Sequence, residues 1–487
     1  MGTLLAPSPR MELTSAVPAA PHPTFDPELR ASPLTRRVVI VGGGFAGAAL
    51  AYHLLRHRSS RLRISLIEPG PRLGRGVAYA VGNPLLRLNV PASRMSIDPK
   101  HPQDFVSWAG ADSDPHAFLP RSMYGTYVSQ RLLLASKENP GRLRILRAAA
   151  VGVCSGPAAV SGEAVPARSV QLEDGRTIYA DHVVLATGLS ARSRGASLPR
   201  DRRILDAWDE RSLARLPQSG RVLLLGSGLS ALDVLRLLDA SDHRGEVVVL
   251  SRHGLLPRPH ASTPGSFAIP PHLLPVPQRL PALIRWTRNL VAEAQQAGAT
   301  WQHALDALRP LTQQIWQSLS AADQQRFIRH VRPYWEVVRH RAPLDMVERV
   351  SEARLRGAVR VEAGHMLECR PETNALRVVV RSRNGEVREE RFAAIVRCLG
   401  PSLDIADAPP LFTGLVRDGE ARVCTTRLGI VTGEHGRLID ASGRASDHVF
   451  ALGQLCRASR WETTSAPDIV RDAVALAELL CSSADSR

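Results

Sequence analysis

The chain has 487 residues, enough for two or three domains with sizeable cores. Its 44% hydrophobic and 22% charged residues are ordinary for a globular protein and set aside a fibrous or wholly disordered chain. The formal charge of +16 is mostly arginine spread along the chain; with no aromatic-spaced basic motif, zinc-ligand spacing or low-complexity arm beside it, nucleic acid and metal are not expected partners, although such a charge draws anionic ligands inward.

Residues 1–34 are rich in proline, alanine and serine without periodicity and read as a flexible leader, in which Met11 is a second candidate start. No basic segment followed by an apolar core marks a secretory signal. The six cysteines, at 154, 369, 398, 424, 456 and 481, are scattered and form no Cys-x-x-Cys, which fits a reducing, cytoplasmic location.

Val38 to Val41 is a β-branched run suited to a strand buried on both faces. A glycine-rich loop follows. Gly42 permits a tight turn, Gly44 leaves no side chain in the way of a pyrophosphate, and Gly47 lets the next helix pack close to the strand. The free N–H groups at that helix's start then face the phosphates. A second strand, Arg63 to Ile67, ends on Glu68, 26 residues after Gly42 and near the spacing expected for a carboxylate on a ribose hydroxyl. The order predicts a dinucleotide site. Val38 to Leu55 is also an 18-residue stretch without Asp, Glu, Lys or Arg, the length of a membrane span, but three consecutive glycines and the fit to strand, loop and helix argue against one. The unit closes with a predicted hairpin at Asp174-Gly175 and a returning apolar strand from Tyr179 that ends at Thr187 and Gly188.

A second loop lies about 180 residues after the first. Arg221 to Leu225 leads into Gly226, Gly228 and Ala231, the last an allowed variant of the third glycine, and a helix is predicted to about Asp239. The next strand, Glu246 to Leu250, ends in Ser251-Arg252-His253 where the first unit has Glu68. Arg252 in place of a carboxylate suits a ribose 2′-phosphate, so NADPH is the predicted second dinucleotide and NADH the lesser fit; a plain solvated arginine is the alternative. A hairpin at Asn384-Gly385 and a strand from Phe392 to Cys398, ending at Gly400, repeat the first unit's closing pattern. Such strand ends lie over a bound cofactor, which makes Thr187, Gly188 and Gly400 candidate contacts.

Between about 275 and 350 the periodicity turns helical, with Leu283, Trp286, Leu290 and Ala294 on one face and Trp301, Leu305, Leu308, Ile315 and Trp316 continuing it. Ser320 and Asp323 pattern as a capping box. Two readings stand: helices that cover a cofactor and form a substrate pocket, or a structural cap filled by tryptophan. Arg339, His340 and Arg341 read either as an anion site or as a solvated basic helix end.

These motifs resemble those of the two-dinucleotide-binding flavoproteins, and within them a bacterial FAD/NAD(P)-binding group. The likeness runs from about residue 36 to 480. It rests on Gly42/Gly44/Gly47, Ala186-Thr187-Gly188, Gly226/Gly228/Ala231 and Val449 to Gly453, with more specific segments at 67–79, 88–95, 119–127 and 256–260. It implies an α/β fold of two Rossmann-like domains. Residues 35–200 and 401–487 are expected to form the FAD domain, with an NAD(P) domain at 201–400, carrying the helical insertion, set into it. Arg75, Arg121 and Gly453 join the expected cofactor contacts. Trp461 to Asp468 reads as the approach to a helix that starts near Pro467 and aims its positive end at the flavin. There are departures: Gln454 stands where many relatives have Asp, and no histidine between Gly188 and Gly226 supplies the Phe-x-Gly-x-x-x-His stretch of Baeyer–Villiger enzymes.

The resemblance implies an FAD-dependent oxidoreductase reduced by NAD(P)H, in the first place a monooxygenase acting on a small molecule, an anionic one among the options. The alternatives are a reductase that hands electrons to another acceptor and a cofactor-binding protein without turnover. No catalytic side chain is read from the sequence, because electron transfer between two cofactors requires position and electrostatics before it requires an acid or base.

Overall fold

A computed structural model describes residues 35–58, 61–110, 112–156, 166–188, 198–400, 408–426 and 428–485. The leader expected at 1–34, with Met11, lies outside the described residues. β1 (Arg36–Val41) turns through Gly42 into α1 (Phe45–Arg56), and β2 (Leu62–Ile67) pairs parallel to β1. The uncharged stretch from Val38 to Leu55 is therefore strand, loop and helix. α2 (Asp104–Ala109) and α3 (Arg121–Glu138) precede β3 (Leu143–Leu146). β4 (Ala150–Ser155), β5 (Arg168–Leu172) and β6 (Thr177–Ala180) form a separate antiparallel sheet, with the β5–β6 turn at the predicted Asp174-Gly175. The predicted returning strand divides: Tyr179 and Ala180 end β6, and β7 (His182–Leu185) enters the first sheet. The change falls at Asp181, whose carboxylate accepts the Arg37 backbone N–H at 2.7 Å and pairs with its guanidinium, pinning the chain beside the start of β1.

β8 (Ile204–Asp206), α4 (Glu210–Leu213), β9 (Val222–Leu225), α5 (Leu229–Ala240) and β10 (Val247–Ser251) open a second sheet. The chain then leaves it for α6 (Leu280–Gln296), α7 (Trp301–Leu308), α8 (Thr312–Ser318), α9 (Ala321–Arg326), a π-helical turn over Phe327–Val331 and α10 (Arg332–Arg339). α11 (Leu344–Leu355) returns to the second sheet, where Met346 and Val350 pack in one core with Leu232 and Leu235 of α5. The excursion away from the second sheet thus ends near Arg341, and α11 carries the helical pattern on through Leu355. Ser320 accepts the Asp323 N–H at 3.1 Å as a cap, but the Asp323 carboxylate turns to the Leu280 N–H at 3.1 Å. The predicted capping box is half made, and its acid caps α6 instead.

β11 (Val359–Pro371), β12 (Leu376–Ser382) and β13 (Val387–Phe392) follow, the β12–β13 hairpin turning at Asn384-Gly385, and β14 (Ala394–Arg397) inserts between β9 and β8. α12 (Pro410–Arg417), β15 (Arg437–Ile439), β16 (Ala445–Ala451) and α13 (Ala466–Asp485) rejoin the first sheet and its cores. The strand orders are β15-β16-β7-β1-β2-β3 and β13-β12-β11-β10-β9-β14-β8. Both sheets are parallel around their glycine-loop strand, with antiparallel strands at one edge only.

The two-residue period of a strand divides β1 between two cores. Val38 and Ile40 pack with α1, α3 and α13, whereas Val39 and Val41 pack with the three-stranded sheet and α12. β9 does the same, Val222 and Leu224 on one face and Leu223 and Leu225 on the other. Each such buried aliphatic side chain contributes roughly 1.5–3 kcal/mol over leaving it exposed. Stabilised on both faces, the strands hold the two loops rigidly. Among the described residues no helix is long and apolar enough to cross a membrane.

Candidate functional site

The two glycine loops have one geometry. Gly42 and Gly226 both sit at φ +104°, and a Cβ on either would lie 2.7 Å from a carbonyl oxygen, that of Ala186 or of Cys398. Only glycine meets both demands. A Cβ on Gly47 would lie 1.9 Å from the Gly42 oxygen, whereas Ala231 is accommodated, fully buried, in the first turn of α5. Gly44 and Gly228 face open space: the nearest atom to a Cβ on Gly44 is the Gly76 Cα at 3.4 Å, and nothing lies within 4 Å at Gly228. These two are also the N-cap residues of α1 and α5, and neither helix has a side chain capping its first N–H groups. Open space in front of orphan donors at a helix N-terminus is a phosphate cradle.

The strand ends differ. The Glu68 carboxylate accepts the Gly43 N–H at 2.8 Å with one oxygen and the Gly70 N–H at 2.8 Å with the other, leaving each oxygen a lone pair for a ribose hydroxyl. In the second unit Ser251 takes that bracing role: the Ser227 hydroxyl bonds it at 2.8 Å, and the Gly254 N–H donates to it at 3.0 Å. Arg252 is exposed beside it. The His253 imidazole is held below its ordinary pKa by burial and by Arg252, Arg383 and His365, so four basic side chains gather where the first unit has its acid.

Of the residues singled out in the sequence, Gly44, Arg75, Thr187, Gly188 and Gly453 line one cavity of about 200 Å³ in front of the first loop. Arg75 is oriented by the Thr126 hydroxyl, which accepts its Nη2–H at 2.9 Å. Gly453 brings the C-terminal segment against α1, where its Cβ position is 3.3 Å from the Ala46 Cβ, and α13 starts there with Ile469 in the cavity wall. Tyr79 also lines this cavity, held by ring contacts to Phe45 and Tyr124, and burial pushes its hydroxyl up to about 12.

A second chamber of about 430 Å³ shares Ala78, Tyr79, Trp208, Gln454 and Thr464 with the first cavity and takes Gly228 and Gly400 from the second unit. The cavity before the first loop and the chamber before the second therefore adjoin, with those five residues as common wall. Arg121 lies in this chamber's wall rather than in the first cavity. Its guanidinium is 2.6 Å from Asp233 of α5 and lies over the Trp208 ring. Burial raises the Asp233 carboxyl to about 6 while Arg121 pulls the other way.

The helical excursion roofs this chamber. Trp316 donates to the Ala458 carbonyl at 3.0 Å and Trp335 to Glu462 at 3.1 Å, both on the C-terminal segment. Arg339 and Arg341 are 9% and 4% exposed, so of the two readings open for this segment the solvated helix end does not describe them. Arg339 pairs with Glu462 at 2.7 Å and Asp468 at 3.6 Å, Arg341 with Asp306, and His340 with Glu336 at 3.0 Å. Burial opposes ionisation of Glu336, yet His340, Arg457 and Arg332 hold it well below the usual carboxylate range. The tryptophans act as ties and also wall an apolar cavity of about 500 Å³ inside the excursion, Trp301, Trp316, Trp335 and Trp461 among its lining. Trp208, Ser251 and Asp233 are not among the site residues read from the sequence; only Asp233, the first charged residue after the second loop, carries a signal.

Two glycine-loop domains with adjoining cavities have the fold of the two-dinucleotide-binding flavoproteins. Residues 39–190 match the family described as FAD-NAD(P)-binding. The chain is similar in structure to the ornithine N-hydroxylase of Kutzneria sp. 744 solved with reduced FAD, NADP⁺ and L-ornithine, at 16% identity and a TM-score of 0.62, over 93% of this chain and 99% of that one. It is likewise similar to the FAD-bound cadaverine monooxygenase of Erwinia amylovora, at 15% identity and a TM-score of 0.63, over 93% and 95%. Thioredoxin reductase of Lactococcus lactis follows at 13% identity and a TM-score of 0.51, over 93% and 100%. No curated protein matches the sequence.

Proposed function

We propose that the protein is a cytoplasmic FAD-dependent monooxygenase, reduced by NADPH and acting on a small anionic molecule. The observation that carries this reading is the pair of adjoining spaces, one lined by Gly44 of the first loop and one by Gly228 of the second, with Ala78, Tyr79, Trp208, Gln454 and Thr464 in the walls of both. When bound, FAD and NADPH supply the redox chemistry, the nicotinamide reducing the flavin and the reduced flavin activating dioxygen. The reaction balances as substrate, O₂, NADPH and H⁺ giving oxygenated substrate, water and NADP⁺. Likeness to enzymes named for ornithine and cadaverine makes nitrogen the first candidate for the oxygenated atom.

The chain's residues have these parts. Gly42, Gly44 and Gly47 shape a cradle for the FAD pyrophosphate, and Glu68 offers its free lone pairs to the adenosine ribose. Arg75, Thr187, Gly188 and Gly453 line the rest of that site. Gly226, Gly228 and Ala231 form the second cradle, with Arg252, His253 and Arg383 suited to the 2′-phosphate and Gly400 at the chamber. A charge-assisted contact of this kind contributes on the order of 1–3 kcal/mol in favour of NADPH over NADH. The Trp316 and Trp335 ties fasten the roof of the chamber to the C-terminal segment, and a roof held in this way would help exclude the bulk water that competes with oxygen transfer. The six cysteines are free thiols, which suits the cytoplasm.

The test is the oxygen reaction. The FAD-loaded protein is reduced anaerobically with NADPH, mixed with oxygenated buffer and followed by stopped flow. A monooxygenase gives a transient absorbance between the reduced and oxidised spectra, longer-lived with NADP⁺ present. Direct return of the oxidised spectrum, with hydrogen peroxide released in step, transfers the assignment to a reductase. No reduction by NADPH leaves a binding protein without turnover.

A further inference from the structure

The chamber's charges do not balance. Arg121 is matched by Asp233, Arg339 by Glu462 and Asp468, and Arg341 by Asp306. Arg332 and Arg457 share the single carboxylate of Glu336, at 3.2 and 2.7 Å, and His340 draws on it too. Two arginines of the lining remain. Arg94 comes no nearer than 3.9 Å to Asp306, a carboxylate already held by Arg341, and is half exposed. Arg309 lines the same chamber, and while its backbone N–H bonds the Asp306 carbonyl, its guanidinium makes no hydrogen bond or ion pair with any described residue.

The backbone explains why Arg309 is there. α7 ends at Leu308, and Arg309-Pro310-Leu311 makes a single 3₁₀ turn before α8. Leu308 packs in the apolar core of the excursion while Arg309 turns to the chamber. Burial pushes the Arg309 guanidinium down to about 10; Arg339 and Arg94 push the same way, and Asp468 and Asp306, already paired with other arginines, offset this only in part. A guanidinium cannot leave this problem by losing its proton at neutral pH. An anion brought into the chamber relieves it, whereas a dication adds to it.

We propose that Arg309, with Arg94 beside it, is the substrate's anchor, an anion site in the chamber roof that takes a carboxylate. The inference rests on the monooxygenase reading and names the substrate class for that same chamber: a small molecule with a carboxylate, as opposed to a simple diamine. The phosphates of both cofactors have their own donors at the N-termini of α1 and α5, on other elements of the fold. Arg309 belongs to the excursion and is free to read the substrate.

The test uses the FAD-loaded full chain and a probe pair that differs in charge but little in shape, benzoate and benzamide, titrated by flavin absorbance. Benzoate is expected to bind at least about tenfold more tightly than benzamide, the size of a charge-assisted hydrogen bond. Arg309→Gln removes that preference and Arg309→Lys keeps part of it. Arg94→Gln, at a half-exposed position, reduces it several-fold and keeps the test open where Arg309→Gln fails to hold FAD. Equal binding of the two probes, binding of neither, or loss of NADPH affinity in step with benzoate affinity overturns the anchor. The last outcome assigns Arg309 to a cofactor phosphate. Failure of NADPH to reduce the wild-type flavin sinks the oxidoreductase reading instead, so the two failures are told apart.

Discussion

At the scale of single residues, Gly44 and Gly47 are three positions apart and are expected to fail in different ways. A Cβ on Gly47 collides with backbone at 1.9 Å, so Gly47→Ala forces α1 off β1 and costs about 1–3 kcal/mol or more of stability. A side chain on Gly44 meets only Gly76 and otherwise enters the cradle. Gly44→Val is therefore expected to fold with an unchanged melting temperature before FAD is added and to stay colourless afterwards. Thermal melts of apoprotein with flavin absorbance after reconstitution check both; a yellow Gly44→Val protein contradicts the cradle. Glycines of this kind are legible in a sequence because backbone geometry leaves one residue type. Ser251 was legible in position, at the strand end that matches Glu68, but not in role, since serine serves many local roles and its type alone does not mark a brace.

At the scale of elements, the segment after β10 carries a histidine with a pH consequence. His260 donates to the Asn89 carbonyl at 2.9 Å and packs on Phe118. Burial, then Arg341, lowers its pKa to about 4. The folded-state value is depressed, so the unfolded chain takes up a proton first, below about 6.5. Stability from the neutral ring is full above that pH and is lost as pH falls towards 4. His182, lowered to about 4 by burial and by Arg36, contributes a second share in the same window. Urea melts at pH 7 and pH 5 are expected to show the wild type losing about 1–3 kcal/mol, and His260→Gln losing markedly less. An unchanged loss in the variant excludes His260 as a source. Most elements were legible from hydrophobic period and turn chemistry. The split at Asp181 and the return of α11 were not, because each depends on contacts distant in the chain, the Arg37 pair in one case and the α5 face in the other.

At the scale of the molecule, one buried ion pair joins the two nucleotide units. Arg121 is on α3 and Asp233 on α5, with side chains 12% and 10% exposed. Removing one partner strands the other charge in the interior, at a cost of about 3–5 kcal/mol. Asp233→Asn and Arg121→Gln are each expected to destabilise by roughly that amount, and the double variant by clearly less than their sum. Additive losses in urea denaturation show the pair uncoupled and contradict its role as a bridge. The chamber beside it was the least legible part of the site, because its charges come from partners 112 and 121 residues apart, Arg121 with Asp233 and Glu336 with Arg457.

The helical excursion is rooted between β10 and β11 of the second sheet, yet Trp316, Trp335 and Arg339 fasten it to the C-terminal segment of the first. One piece of the chain is thus both ceiling of the reaction space and crossbar between two nucleotide-carrying blocks. The blocks cannot swivel apart without breaking these fastenings, and the ceiling cannot lift away from the chamber without breaking the same ones. Movement between the blocks and opening of the roof are therefore mechanically one event.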